Sequence, residues 1–207
     1  LAALIGKARG LCAAALRTAH IDREWGSGLN AWVLRSFWNG WVFPVFCSAE
    51  SGVSADICRR LDARLAARQT ARKAVLLPNA LPVLEPAGVR SVRLDPHYDW
   101  IGGAGRLCSQ KDPLTLLRAF ALLADENPRL RLVWAGDGPL RDAWLAEARR
   151  LEIAGRVNWL GALPGLGVYL PQLKVFVLPS RYEGLPTVLL EAAARGIPAA
   201  ASDIPGV

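Results

Sequence analysis

The 207-residue sequence contains no methionine, only two histidines and only four cysteines. Cys12, Cys47, Cys58 and Cys108 form no CxxC pair and share no ligand spacing with His20 or His97. Neither a zinc site nor a disulfide framework is suggested, and reduced packing thiols are expected. No DxD-like motif calls for a metal ion, and no cofactor is expected. No apolar run approaches the 18 or so residues a membrane-spanning helix needs, and no charged-then-apolar start resembles a signal peptide. A soluble, cytoplasmic protein is therefore expected. The opening leucine, the absence of methionine and the turn-like ending "SDIPGV" together read as a piece of a longer protein.

What is abundant is apolar and basic. The hydrophobic content of 52% suffices for a buried core. Twenty-five basic against 18 acidic residues leave a net charge of +7, which favours anionic partners. Nucleic acid is not among those expected, because the basic residues are not interleaved with aromatics on one recognisable surface.

From residue 99 onward, short apolar runs alternate with helical ones. "WIGGAGRL" (100–107), "LRLVWAG" (130–136), "RVNWLG" (156–161), "KVFVLPS" (174–180) and "IPAAAS" (197–202) read as buried strands. The segment 111–128 reads as a helix with Asp112 as its cap, Pro113 in its first turn, and Leu114, Leu117 and Ala121 on one face. A second helix is expected over 138–155, opening at Pro139 and closing before Gly155. Such repetition predicts an α/β fold with a parallel sheet, whose ligands bind beyond the carboxyl ends of the strands.

The first part is less regular. "WVFPVFCS" (41–48) and "KAVLLPN" (73–79) read as strands around a helix from 51 to 69, with Arg60, Arg64 and Arg68 beside its apolar stripe. Those arginines form either a solvated basic face or a peripheral membrane contact. Residues 1–40 hold Trp25, Trp32, Trp38 and two helical-looking stretches. A Pro-rich stretch divides the chain into 1–82, a linker at 83–98, and 99–207.

Two places can carry chemistry. In "RYEGLPTVLLEAAARG" (181–196), Glu191 interrupts a helix that is otherwise apolar except for Thr187. A buried carboxylate needs a partner, either a protein group such as an arginine or a ligand hydroxyl. Glu183 precedes the helix, where its dipole favours negative charge; Gly184, Leu185 and Pro186 then present a close backbone and free amides suited to an anion. The second place is "GGAGRLCSQKDP" (102–113), where Gly102, Gly103 and Gly105 permit close approach and Arg106 and Lys111 supply positive charge. It matches neither a GxGxxG nor a GxxxxGK[ST] pattern. Asp137 in "AGDGPLR" reads most simply as a turn support.

"GRLCSQKD", "AGDGPLR", "RVNWLG" and "YEGLPTVLLEAAARGIPAAASD" resemble, in order and spacing, the nucleotide-binding domain of the retaining glycosyltransferases of family 4, whose fold is GT-B. The E-x7-E pair Glu183 and Glu191 is the most specific element. The resemblance implies two Rossmann-like domains with parallel sheets, both incomplete here: the end of an acceptor domain over 1–82 and most of a donor domain over 99–207. It implies transfer of a sugar from a UDP- or GDP-sugar to a glycan or lipid-linked acceptor with retention. Arg106 and Lys111 would hold the diphosphate, Glu183 the sugar hydroxyls, and Glu191 the ribose. Gly103, Gly105, Gly184, Leu185, Thr187 and Val188 would line the donor, with the base near Leu160 and Gly161. His20 matches no motif firmly, and His97 is assigned no role. The competing expectations are a nucleotide-sugar-binding module without transferase activity and, from "GGAGR", a nicotinamide-dependent dehydrogenase.

Overall fold

The computed structural model describes residues 16–19, 33, 36–43, 47, 49–64, 74–81 and 92–207. They fall into two compact units. One comprises Leu1–Asn79 with Glu183–Leu185 and Gly206; the other comprises Ala80–Tyr182 with Pro186–Pro205 and Val207.

In the first unit, strands β1 (Leu16–Ala19), β2 (Ala49–Gly52) and β3 (Val75–Leu76) form a parallel sheet in that order, with helix α1 (Ala55–Asp62) between β2 and β3. Ser54 caps α1 by accepting from the Ile57 amide at 3.4 Å. Ile57, Cys58 and Leu61 form the buried face of α1. A Cβ on Gly52 would lie 2.8 Å from Ile57 and 2.9 Å from Cys58, so glycine here lets the helix close onto the sheet.

Two expectations for this part are corrected. Trp41 and Val42 lie in a helical turn, Trp38–Val42, rather than in a strand over 41–48, and the strand begins only at Ala49. A short apolar run with aromatics has no periodicity that separates a strand from a helical turn. Leu16–Ala19, within residues 1–40, is a strand. The second concerns Arg64, expected in either a solvated basic face or a peripheral membrane contact. Its guanidinium pairs with Glu50 and donates to the Leu61 carbonyl, with only 13% and 10% of the paired side chains exposed. Arg60 pairs with Asp56 at 2.7 Å; Arg68, Trp25, Trp32, His20 and Cys12 lie outside the described residues.

The second unit is a parallel sheet in the order β6-β5-β4-β7-β8, built from β4 (Asp99–Ala104), β5 (Leu130–Ala135), β6 (Val157–Trp159), β7 (Val175–Leu178) and β8 (Ala199–Ala201). Three helices connect them: α2 (Pro113–Ala124), α3 (Arg141–Arg150) and α4 (Thr187–Ala194). Strands β5 to β8 lie within the runs expected for them and β4 begins one residue before its run, at Asp99; β8 is exposed rather than buried, and the fold is the expected parallel α/β.

The alternation of β5 assigns its side chains to two cores. Leu132 and Trp134 join Leu116, Leu117 and Phe120 of α2 and Trp144 of α3. Val133 and Ala135 join Tyr169, Phe176, and Val188 and Ala192 of α4. Each large side chain fully buried this way contributes roughly 1.5–3 kcal/mol of transfer free energy.

The helices also differ in detail from expectation. The buried stripe of α2 is Pro113, Leu116, Leu117, Phe120 and Ala124, with Leu114 and Ala121 only half-buried, because Phe120 takes the centre of the contact. Asp112 stands at the cap position in the left-handed region (φ 43°) without a side-chain capping hydrogen bond. Helix α3 begins at Arg141 rather than at 138, and Glu152 (φ 58°) turns the chain where Gly155 was expected to do so.

Tyr169 reaches the backbone of both β4 and β5. Its buried hydroxyl donates to the Gly103 carbonyl at 3.0 Å and lies 3.3 Å from that of Val133, and burial pushes its pKa well above the ordinary phenol value. A Cβ on Gly102 would lie 2.3 Å from that hydroxyl, and one on Gly103 would lie 2.6 Å from the Trp134 ring. Tyr169→Phe is expected to lower stability by about 1–2 kcal/mol by leaving buried carbonyls short of a donor, read as a lower urea midpoint with an unchanged m-value.

Candidate functional site

The second sheet grows in both directions from β4, which pairs with β5 on one side and β7 on the other. In open parallel sheets the crevice at such a reversal, beyond the carboxyl ends of the strands, is where ligands bind. Two loops leave the sheet there: 105–112 after β4 and 179–186 after β7.

The loop after β4 starts with backbone packed on backbone. Gly105 has φ +136° and Gly136 has φ +137°; a Cβ on Gly136 would lie 2.0 Å from the Gly105 carbonyl oxygen. The Gly105 amide donates to Ala135 O at 2.9 Å, and its carbonyl accepts from the Trp134 indole at 3.0 Å. Leu107 N donates to Asp137 O at 3.0 Å, while the Asp137 carboxylate accepts from Gly138 N at 2.7 Å, which makes it the expected turn support. Lys111 folds back so that its side chain crosses Gly105, its Cε 3.1 Å from where a Gly105 Cβ would stand. Arg106 is exposed and Lys111 half-buried.

The two loops are tied directly to each other. Arg181 Nε donates to Asp112 Oδ2 at 2.8 Å, Arg181 N donates to Gln110 O at 2.8 Å, and Gln110 Nε2 donates to Tyr182 O at 3.1 Å. Burial alone would push the Asp112 carboxyl up, but the Arg181 guanidinium bonded to it helps outweigh burial and hold the pKa below the usual aspartate value.

Helix α4 opens without a side-chain cap and without an acidic residue in its first turn. Thr187 is exposed and Val188 buried. The helix is not buried all round, as its composition suggested, but only along Val188 and Ala192, since Ala199–Ala201 beside it is an exposed edge strand. Glu191 is half-buried, and Arg195 Nη1 donates to its backbone carbonyl at 3.1 Å. Desolvation by burial raises the pKa of the Glu191 carboxyl.

Leu160 and Gly161 follow β6, two strand spacings from β4, or roughly 10 Å. Leu160 N donates to Trp134 O at 2.9 Å and Gly136 N to Gly161 O at 2.7 Å, so this turn belongs to the same stitched edge as Gly105. Trp159 adds an indole bond to Gly136 O at 2.8 Å, and Arg141 lies 4.2 Å over its ring.

The structure thus brings Gly103, Gly105, Arg106, Lys111, Leu160, Thr187, Val188 and Glu191 to the second unit. Glu183, Gly184 and Leu185 group with the first unit, where Asn79 Nδ2 donates to Leu185 O at 2.9 Å. His97 sits in an exposed turn, its Nδ1 2.8 Å from Asp95. Among the described residues, no group of three or more His, Cys, Asp or Glu could hold a metal ion. Sequence reading missed Gln110, bonded to Tyr182 across 72 residues, and Arg181, paired with Asp112 across 69, neither of which leaves a local signal, and the indoles of Trp134 and Trp159, which read only as strand residues.

The comparisons with known proteins agree with this architecture. The fold is that of the GT-B glycosyltransferases: S. aureus TarM, solved with fondaparinux, alpha-GlcNAc-glycerol and UDP, superposes with a TM-score of 0.72 at 13% identity, over 92% of this chain and 37% of TarM. Residues 99–207 match the family model of glycosyl transferases group 1, and the chain belongs to that family. Salmonella typhi Vi polysaccharide biosynthesis protein VipC/TviE is 40% identical over 47% of this chain and 17% of its own length. Escherichia coli UDP-Gal:alpha-D-GlcNAc-diphosphoundecaprenol alpha-1,3-galactosyltransferase is 35% identical over 49% of this chain and 27% of its own. The matched segments therefore span under a third of either relative.

The raised Glu191 pKa gives a signed prediction for the ligand-free chain. A carboxyl whose pKa is higher folded than unfolded adds stability below the unfolded value, and that contribution is lost as pH rises through the folded value. Glu191→Gln is therefore expected to be modestly more stable than the parent at pH 7, with the advantage fading as the parent is titrated down through the ordinary glutamate range. Urea midpoints at pH 7 and pH 4 check it.

Proposed function

We propose that this chain carries the donor-binding part of a glycosyltransferase that moves a sugar from a UDP- or GDP-sugar to an acceptor hydroxyl with retention at the anomeric carbon. The observation that carries this reading is the loop of Arg106 and Lys111 meeting the loop after β7 at the reversal of the sheet. Family membership over 99–207 supports it. So do the UDP of the TarM complex and the UDP-galactose in the name of the galactosyltransferase.

In the reaction the bond from the anomeric carbon to the diphosphate oxygen breaks, the bond to the acceptor oxygen forms, and the nucleoside diphosphate leaves with the electron pair and takes up the proton that the acceptor hydroxyl loses. Arg106 and Lys111 hold the diphosphate and stabilise the charge that grows on it, which is ordinarily the largest electrostatic contribution in such catalysis. Gly103 and Gly105 keep the backbone beside it free of side chains, and the first-turn amides of Thr187 and Val188 donate to phosphate. Glu183 accepts from hydroxyls of the sugar, with Gly184 and Leu185 beside it. Glu191 accepts from the ribose hydroxyls, and the base lies along Leu160 and Gly161.

A glycan or lipid-linked acceptor, in the synthesis of a cell-surface polysaccharide or glycolipid, fits the relatives' names. No helix among the described residues is long and apolar enough to cross a membrane. A cytoplasmic enzyme that meets its acceptor at the membrane face is the arrangement we infer.

Calorimetric titration of UDP, GDP and ADP into the chain tests the donor site. One of the first two is expected to bind, and Lys111→Ala is expected to weaken it at least tenfold, since a charge-assisted bond to phosphate is worth about 1.5–3 kcal/mol. A folded chain that binds none of them, or binds equally well without Lys111, overturns the assignment.

A further inference from the structure

We propose that Arg181 is a positioning residue for Lys111: through its ion pair with Asp112 and its backbone bond to Gln110, it makes the loops after β4 and β7 move as one piece. What Lys111 holds rests on the donor-site reading above; the coupling of the loops does not.

Lys111 stands between two residues that are both tied to the other loop. Gln110 gives its carbonyl to Arg181 N at 2.8 Å and its side-chain amide to Tyr182 O at 3.1 Å. Asp112 receives the Arg181 guanidinium at 2.8 Å. The Lys111 and Asp112 amides both donate to Cys108 O, at 3.1 and 3.2 Å, which closes the loop on itself. Lys111 therefore sits on a backbone segment anchored on both sides.

Asp112 carries the strain of this arrangement. It occupies the left-handed region (φ 43°, ψ 52°), which a residue with a Cβ disfavours and which persists where surroundings hold it. Pro113 fixes the start of α2 immediately after it. The ion pair is asymmetric: the Asp112 side chain is 16% exposed and that of Arg181 64%. An arginine reaching in from solvent to a mostly covered carboxylate adds little to global stability. Its effect is local, on the loop that carries Lys111.

The test separates the ion pair from the backbone conformation. Asp112→Gly keeps φ 43° without strain and removes the carboxylate, so it isolates the pair. Hydrogen exchange of the ligand-free chain is measured for the parent, Arg181→Met, Arg181→Lys, Asp112→Gly and the Arg181→Met/Asp112→Gly double variant, with UDP and GDP titrations alongside. Arg181→Met is expected to speed exchange of amides 106–112 about fivefold, the most an exposed ion pair ordinarily carries, while α3 is unchanged. Nucleoside diphosphate affinity should fall by a similar factor. Arg181→Lys should recover part of both, and Arg181→Met should add nothing in the Asp112→Gly background.

Unchanged exchange at 106–112 in Arg181→Met overturns the coupling, as does an equal effect of that change when Asp112 is already glycine. Faster exchange with undiminished affinity overturns the positioning role. A parent chain that binds neither UDP nor GDP overturns the donor-site reading, and with it what Lys111 is positioned for; exchange alone then decides the coupling.

Discussion

The carboxyl edge of the second sheet depends on backbone lying against backbone where no side chain fits. Gly136 leaves no room for a Cβ beside the Gly105 carbonyl, and Gly138 would place one 2.5 Å from that of Leu107. With these contacts made, the turns after β4, β5 and β6 share hydrogen bonds, and the indoles of Trp134 and Trp159 each close on a glycine carbonyl beside them. Bulky indoles and bare glycines are thus complementary. Each large ring fills the space that the missing side chains leave and returns a donor to the carbonyl they expose.

That rigidity stops at the sheet's reversal. The loops after β4 and β7 come from strands that pair through only two registered positions, Ile101 with Val175 and Gly102 with Phe176. Beyond those positions the ladder no longer connects them, and side chains take over through Gln110, Asp112 and Arg181. A crevice that admits a ligand cannot be closed by ladder hydrogen bonds. Polar side chains at its rim hold the geometry while leaving the space between the strands open.

The parallel sheet of the second unit was legible because β4, β5 and β7 are apolar runs bounded by turn residues, and its helices because Pro113 and Pro139 mark their approaches. The first unit was less so. Trp41 and Val42 lie in an apolar stretch equally compatible with a strand or a helical turn; the turn it forms sets the Phe43 ring 5.9 Å from that of Trp38. Local composition identified the Gly-rich loop and the Glu191 helix. It gave no hint of Arg181, because the partner of an ion pair 69 residues away is chosen by strand order, which no local window contains. Gly103 shows the opposite limit: a glycine read for ligand approach also has a packing reason to be one, the Trp134 ring.

The electrostatics of the second unit divide along the same line. Paired carboxylates are held ionised: hydrogen bonds from Arg150 and Arg118 pull Glu147 down to about 2, and Asp112 is lowered by Arg181. Glu191 moves the other way, because burial disfavours its charged form and no charge among the described residues offsets it. A carboxylate in that condition is the group with most to gain from hydroxyl donors, since each supplies what the protein does not. On the donor-site reading, the ribose offers such donors while α4 offers its uncapped first turn to phosphate. The same short helix then distinguishes the two ends of its ligand by sign: amides toward the anion, a carboxylate toward the polyol. A free phosphate would satisfy only the first of these, so on that reading Glu191 is what would favour a nucleotide over other anions.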